Sequence, residues 1–150
     1  MLKIPGIITY IDFSRRDIKK VITRRFFTNL YHELSHLARE AFVGWGRTFL
    51  DHLVAEGIAS YTEKALDNRA EVPYIRKIKN EDELWRKAKP FLSRGKYRHS
   101  DWFFGSRNIP RWAGYRLGYL IVDSFMKNND CSLYELTRMP SKEILRKSNF

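Results

Sequence analysis

Between Asp17 and Phe42 the apolar residues Phe27, Leu30, Tyr31, Leu34, Leu37, Ala38 and Ala41 recur at steps of three and four. That spacing gathers them on one side of a helix, so the stretch predicts a long amphipathic helix with this stripe turned to a core. Gly44-Trp45-Gly46 supplies its stop. His32 and His36 lie along the edge of the stripe, with Glu33 beside the first. Side chains four apart on a helix project to one face, one turn above the other. The two imidazoles can therefore meet at one ion, and neutral imidazole is a good zinc ligand. Glu33 is rotated off that line, where it can reach a water held by the metal and act as a general base.

A helix of this length needs partners, and the chain has material for them. Its 150 residues suit one domain, 1–150, and 43 % of them are hydrophobic, enough for a single core. The lone cysteine, Cys131, can form neither an intramolecular disulfide nor a thiolate zinc site. No secretory leader pattern opens the chain, and Arg116 interrupts the apolar run "WAGYRLGYLIV", so no membrane span and a cytoplasmic location are expected. The net charge of +11 favours polyanionic partners. Its basic residues are nonetheless spread in short pairs along the chain, the usual pattern of solvated helix faces.

The opening "GIITYIDF", residues 6–13, is β-branched and aromatic and reads as a strand. A second amphipathic helix is expected from about Thr48 to Leu66, through Phe49, Leu50, Leu53, Ile58 and Tyr61. "NEDE" at 80–83 opens another, and a third long helix should run from about Arg111 to Met126. Gly114 and Gly118 leave one face of that helix bare enough for another backbone to approach. "SLYE" at 132–135 has the capping-box form, and Ser141 is a candidate cap for a last short helix. The remaining segments, 71–80 and 93–111, read as loop. The fold class expected is α+β and mainly helical: a short N-terminal strand or small sheet, then the histidine-bearing helix and further packed helices.

Zinc with two histidines needs a third protein donor and, for catalysis, a vacant position. Glu56 stands on the second helix amid Val54, Ala55, Gly57, Ile58 and Ala59, and a carboxylate in such apolar company usually has a partner. His52, one turn earlier on the same face, competes with it as a ligand, as a supporting group or as a surface residue.

These residues resemble the gluzincin metallopeptidases, in which His-Glu-x-x-His is completed by a glutamate on a following helix. More closely, the blocks "HELSHLAR" (32–39), "LDHLVAEGIASY" (50–61), "DWFFG" (101–105) and "IPRWAGYRLGYLIV" (109–122) resemble the predicted zinc-dependent protease family of the YjaZ-like group. The resemblance implies a zincin-like fold, zinc on His32, His36 and Glu56, Glu33 as base, and a place near the metal for the "AGY" block. Peptide deformylases require an upstream cysteine ligand, whereas Cys131 lies downstream. SprT-like proteases take a third histidine soon after the motif, and Leu37 to Asp51 contains none.

The expected activity is zinc-dependent hydrolysis of peptide or protein substrates, with Glu33 moving the proton. The oxyanion needs a further donor. Tyr115, beside the small Gly114, is the candidate, with Tyr119, His99 and Arg111 as alternatives. By analogy with zincins, the strand at 6–13 would offer an edge to an extended substrate. The rival reading is a basic nucleic-acid- or anion-binding module with a structural or vestigial metal. The sequence does not fix the oligomeric state.

Overall fold

The computed structural model describes residues 6–7, 12–67 and 71–150 of the chain. Among them it forms seven α-helices: α1 (Ile18–Val43), α2 (Phe49–Leu66), α3 (Glu81–Ala88), α4 (His99–Phe103), α5 (Ala113–Asn128), α6 (Leu133–Arg138) and α7 (Ser141–Lys147). Short 3-10 turns occur at Pro73–Ile75 and Lys89–Phe91.

The seam between α2 and α5 is the centre of the molecule. Phe49, Leu53, Val54 and Ile58 of α2 and Leu117, Ile121, Val122 and Phe125 of α5 are buried together. The two backbones come close because glycine faces glycine. A Cβ on Gly118 would stand 1.9 Å from the Leu53 carbonyl oxygen, and one on Gly57 would stand 2.2 Å from that of Gly118. Thr48 starts α2 with a reciprocal capping box to Asp51, and Ser132 starts α6 the same way with Glu135. α5 begins after Trp112, a non-glycine residue held at φ 68°. Its Ala113 and Gly114 are buried, and a Cβ on Gly114 would meet the Phe103 ring at 2.7 Å.

The helix over 18–43 has the expected extent, but it is turned differently. Thr28, His32, Ser35 and Arg39 are its buried residues, whereas Phe27, Leu34 and Phe42 of the apolar side are exposed. At about 100° per residue, the buried polar line is centred about 130° around the helix from the apolar stripe, so His32 and His36 stand on the far side of the helix rather than at the stripe's edge. The reason is local: the face that packs on α2 carries the groups that bond to Glu56 and Glu63, and only one face can do so.

The α+β expectation is overturned. The described residues are helical, with no strand or sheet among them. Of the proposed strand at 6–13, residues 8–11 lie outside the described residues, and Gly6, Ile7, Asp12 and Phe13 join no ladder. A strand requires a partner for its backbone groups, and the apolar segments that would cover a sheet are instead spent on the α2–α5 seam. No sheet edge for a substrate exists among the described residues. Two smaller expectations also change. Ser141 does not cap α7, whose N-cap is Pro140, and instead accepts a hydrogen bond from Arg39. The segment 93–111 contains α4 rather than loop alone. No described helix is long and apolar enough to cross a membrane.

Candidate metal centre

α1 and α2 lie side by side, so the turn of α1 bearing His32 and His36 faces the turn of α2 bearing Glu56. His32 Nε2 stands 3.1 Å from His36 Nε2 and 3.2 Å from Glu56 Oε2, and His36 Nε2 stands 3.5 Å from the same oxygen. Ligand atoms at about 2.0–2.1 Å around a tetrahedral zinc stand roughly 3.3 Å from one another. The three side chains thus present donors of the right type at nearly the right mutual spacing, and could hold a metal ion. The three donor residues fit the group that the sequence motif implies.

A further carboxylate fixes this arrangement. His32 Nδ1–H donates to Glu63 Oε1 at 2.6 Å, and Glu63 is 3 % exposed. The Tyr74 hydroxyl donates to the same Glu63 oxygen and lies 3.3 Å from His32 Nδ1. A histidine whose Nδ1–H is committed to a carboxylate keeps Nε2 as its free ligand atom, in a fixed ring orientation. Neither residue was found from the sequence. Glu63 had a signal, since it stands seven residues, two turns, after Glu56 on one face of α2. Tyr74 had none, because it reaches the site from the irregular turn after α2.

Burial works against charge here, and paired charges overcome it. Burial alone would lower the His32 pKa, but the bonds to Glu56 and Glu63 raise it to about 9. Burial would raise Glu56, but its contacts with His32 and His36 pull it down to about 2. With no metal bound, the centre is an imidazolium clamped between two carboxylates.

Glu33 is exposed, and its negative charge is felt at Tyr115. The Tyr115 ring packs against Tyr74 at 4.9 Å and edge-on to Phe103 at 5.4 Å. Burial, with Glu56, Glu33 and Glu63 adding their charges, pushes its hydroxyl up to about 12. Tyr115 therefore shares a neighbourhood with the metal cluster and Glu33. Of the other candidates, His52 and His99 stand beside the cluster, His99 also feeling the Glu56 charge, whereas Arg111 and Tyr119 are held by other partners. His52 Nε2 lies 3.1 Å from the Gly46 carbonyl oxygen, and its Nδ1 pairs with the Tyr97 hydroxyl, so both nitrogens are engaged. His99 stacks on Phe103 at 4.3 Å, Arg111 lies over Trp112, and Tyr119 packs by Tyr61 and Arg116.

Beside the cluster a cavity of about 700 Å³ opens between α1, α2 and the start of α7. His36 and Glu56 form part of its wall, as do His52 and His99.

No curated protein and no solved structure matches the chain. A family profile described as "Predicted Zn-dependent protease (DUF2268)" matches residues 2–146. With nearly its whole length covered, and with donors for a metal brought together by its first two helices, the chain belongs to that family of predicted zinc-dependent proteases.

Proposed function

We propose that the protein is a zinc-dependent metallopeptidase of gluzincin type, with His32, His36 and Glu56 as the metal ligands and a peptide or protein as substrate. The observation that carries this reading is the convergence of His32 Nε2, His36 Nε2 and Glu56 Oε2 within 3.5 Å of one another. Three protein donors leave one corner of a tetrahedron vacant, which is the pattern of a catalytic rather than a structural zinc. Bound there, zinc supplies Lewis-acid activation of water and of the scissile carbonyl.

The chain's own groups do the rest. The Glu33 carboxylate accepts a proton from the attacking water and delivers it to the leaving amine nitrogen. Glu63 holds the His32 ring by its Nδ1–H, so that Nε2 stays turned toward Glu56 and His36. The Tyr115 hydroxyl, protonated throughout the physiological range, donates to the oxygen on which negative charge develops. The cavity beside His36 and Glu56 receives the substrate flanking the scissile bond. The alternative, a basic nucleic-acid- or anion-binding module, draws on the net charge of +11 and leaves the convergence of His32, His36 and Glu56 unexplained.

The test is Glu33→Gln. Zinc content measured by elemental analysis should stay at one per chain, while hydrolysis of a casein or peptide-library substrate falls to background. Retained hydrolysis would remove Glu33 as the base, and absence of zinc from the wild-type protein would remove the reading altogether.

A further inference from the structure

Arg39 is buried, 5 % exposed, one turn beyond His36 on the same helix. Its Nη1 donates to the carbonyl oxygens of Thr137 at 3.2 Å and Met139 at 3.1 Å, and its Nη2 to Ser141 Oγ at 3.0 Å. All three acceptors are neutral. A guanidinium has five N–H donors, and no carboxylate among the described residues bonds to this one. Asp51 acts on it through space and through the Ser141 hydroxyl, which bonds both groups, and is itself further engaged by the Thr48 hydroxyl and the backbone N–H groups of Arg47 and Thr48. A buried cation is ordinarily matched by an anion, because desolvation without one is costly. Arg39 bonds directly only to carbonyl and hydroxyl dipoles, with Asp51 one hydroxyl away, and it lines the cavity that adjoins the metal centre. Buried side-chain nitrogens without any partner are absent among the described residues. The Arg39 Nε–H, which bonds to none of the described residues, is therefore within reach of solvent.

The surroundings extend the same pattern. Arg47 and Lys142, both exposed, stand where the cavity meets solvent. The acidic groups facing it are Glu40, Asp51 and Glu56. Glu56 belongs to the metal cluster, which leaves Glu40 and Asp51 against Arg39, Arg47 and Lys142. Val43, Trp45 and Pro140 supply apolar wall between the cations.

We infer that this cavity is an anion-recognition subsite that selects substrates carrying a carboxylate close to the scissile bond, with Arg39 at its floor and Arg47 and Lys142 at its mouth. The inference rests on the peptidase reading for its meaning, but not for its measurement. The carboxylate is borne either by an acidic side chain or by the free C-terminus of the peptide. At three residues past His36, Arg39 lies about 4.5 Å along the helix axis from that ligand, which places the anion within a residue or two of the bond to be cut.

The experiment uses full-length, zinc-loaded Glu33→Gln protein, so that peptides bind without being consumed, and reads affinity by calorimetry. Three peptides share one neutral sequence: one with an internal Glu and an amidated end, one with Gln and a free carboxylate end, one with Gln and an amidated end. One carboxylate peptide should bind at least ~10-fold tighter than the neutral one, a difference on the scale of one charge-assisted contact. The tighter of the two identifies the source of the carboxylate. Adding Arg47→Glu with Lys142→Glu, which leaves the buried Arg39 framework untouched, should bring that preference below about threefold. The remote pair Arg107→Glu with Arg146→Glu should leave it in place. Equal binding of all three peptides overturns the inference, as does a preference that both charge reversals reduce alike. If wild-type zinc-loaded protein cuts none of the peptides while the preference persists, the peptidase reading fails and the subsite stands.

Discussion

Glu63→Gln separates what the buried carboxylate does for the metal from what it does for the proton that competes with the metal. The substitution keeps the side chain's size at a 3 % exposed position and removes its charge. The 2.6 Å bond from His32 Nδ1–H makes the ring a stronger donor through Nε2, and loss of such a supporting carboxylate typically lowers metal affinity 10–100-fold, about 1.4–2.7 kcal/mol. The same bond has a second effect of opposite sign. It helps raise the metal-free His32 pKa to about 9, so at pH 7 zinc must displace a proton held with about 100-fold preference. In the wild type, apparent zinc affinity should therefore climb about tenfold per pH unit and level off near pH 9. In Glu63→Gln the imidazolium loses a partner, its pKa falls, and the climb should level off at lower pH. The variant should bind zinc 10–100-fold more weakly than wild type at pH 9.5 and by a much smaller margin at pH 7. Competition against a fluorescent chelator from pH 6 to 9.5 reads both effects. Two parallel curves levelling off at the same pH, or equal affinities at pH 9.5, would refute the assignment of Glu63 as the group that holds His32.

Tyr115→Phe removes only the hydroxyl, so kcat on a peptide substrate should fall about 10²–10³-fold with KM little changed; a drop under threefold would return Tyr115 to a packing role. Gly118→Ala drives a methyl group to 1.9 Å from the Leu53 carbonyl oxygen, backbone that cannot yield cheaply. Overpacking of that kind costs about 1–3 kcal/mol, and thermal denaturation should show Tm lower by roughly 3–12 °C. Chelation should loosen α1 selectively. With zinc present at about 100 times its Kd, the linkage is worth about 2.7 kcal/mol, so hydrogen exchange of α1 amides should speed up about 100-fold on metal removal while α2 and α5 keep their protection. Uniform acceleration across all three helices would show that they open as one unit.

The sequence was most legible where one physical cause dominates. The Ser132–Glu135 capping box, the close approach at Gly118 and the ends of α1 and α2 follow from local chemistry or from bare steric need, and they stand where the residues place them. The meeting of His32 and His36 was legible because spacing on a helix is geometry: four residues put them on one turn. The facing of α1 was not. Periodicity reports that a helix has two sides, and the apolar side is ordinarily the buried one. Here Thr28, His32, Ser35 and Arg39 take the inner side, because Glu56, Glu63 and the α6–α7 backbone offer them partners that no hydropathy pattern records. The α+β class failed for a related reason. β-branched residues permit a strand, but only a neighbouring strand makes one, and the described residues provide none.

These contrasts divide the molecule into two kinds of attachment. α2 and α5 are joined by glycine-backed apolar contact, which depends on neither pH nor metal. α1 is joined to α2 by polar bonds from His32 to Glu56 and Glu63, and to the end of α6 by bonds from Arg39 to the backbone at Thr137 and Met139. Bonds of the second kind return little net stability once the desolvation of buried charges is counted, and they return least where an imidazolium stands between carboxylates in place of a metal ion. The helix that carries the two histidines is thus the one whose docking depends most on what occupies the site. The same residues that make the centre competent to bind a cation make the cation a structural clamp between α1 and α2. On the metallopeptidase reading, loss of the metal would remove both the chemistry and the strongest reason for α1 to keep its polar side inward and its apolar side in water.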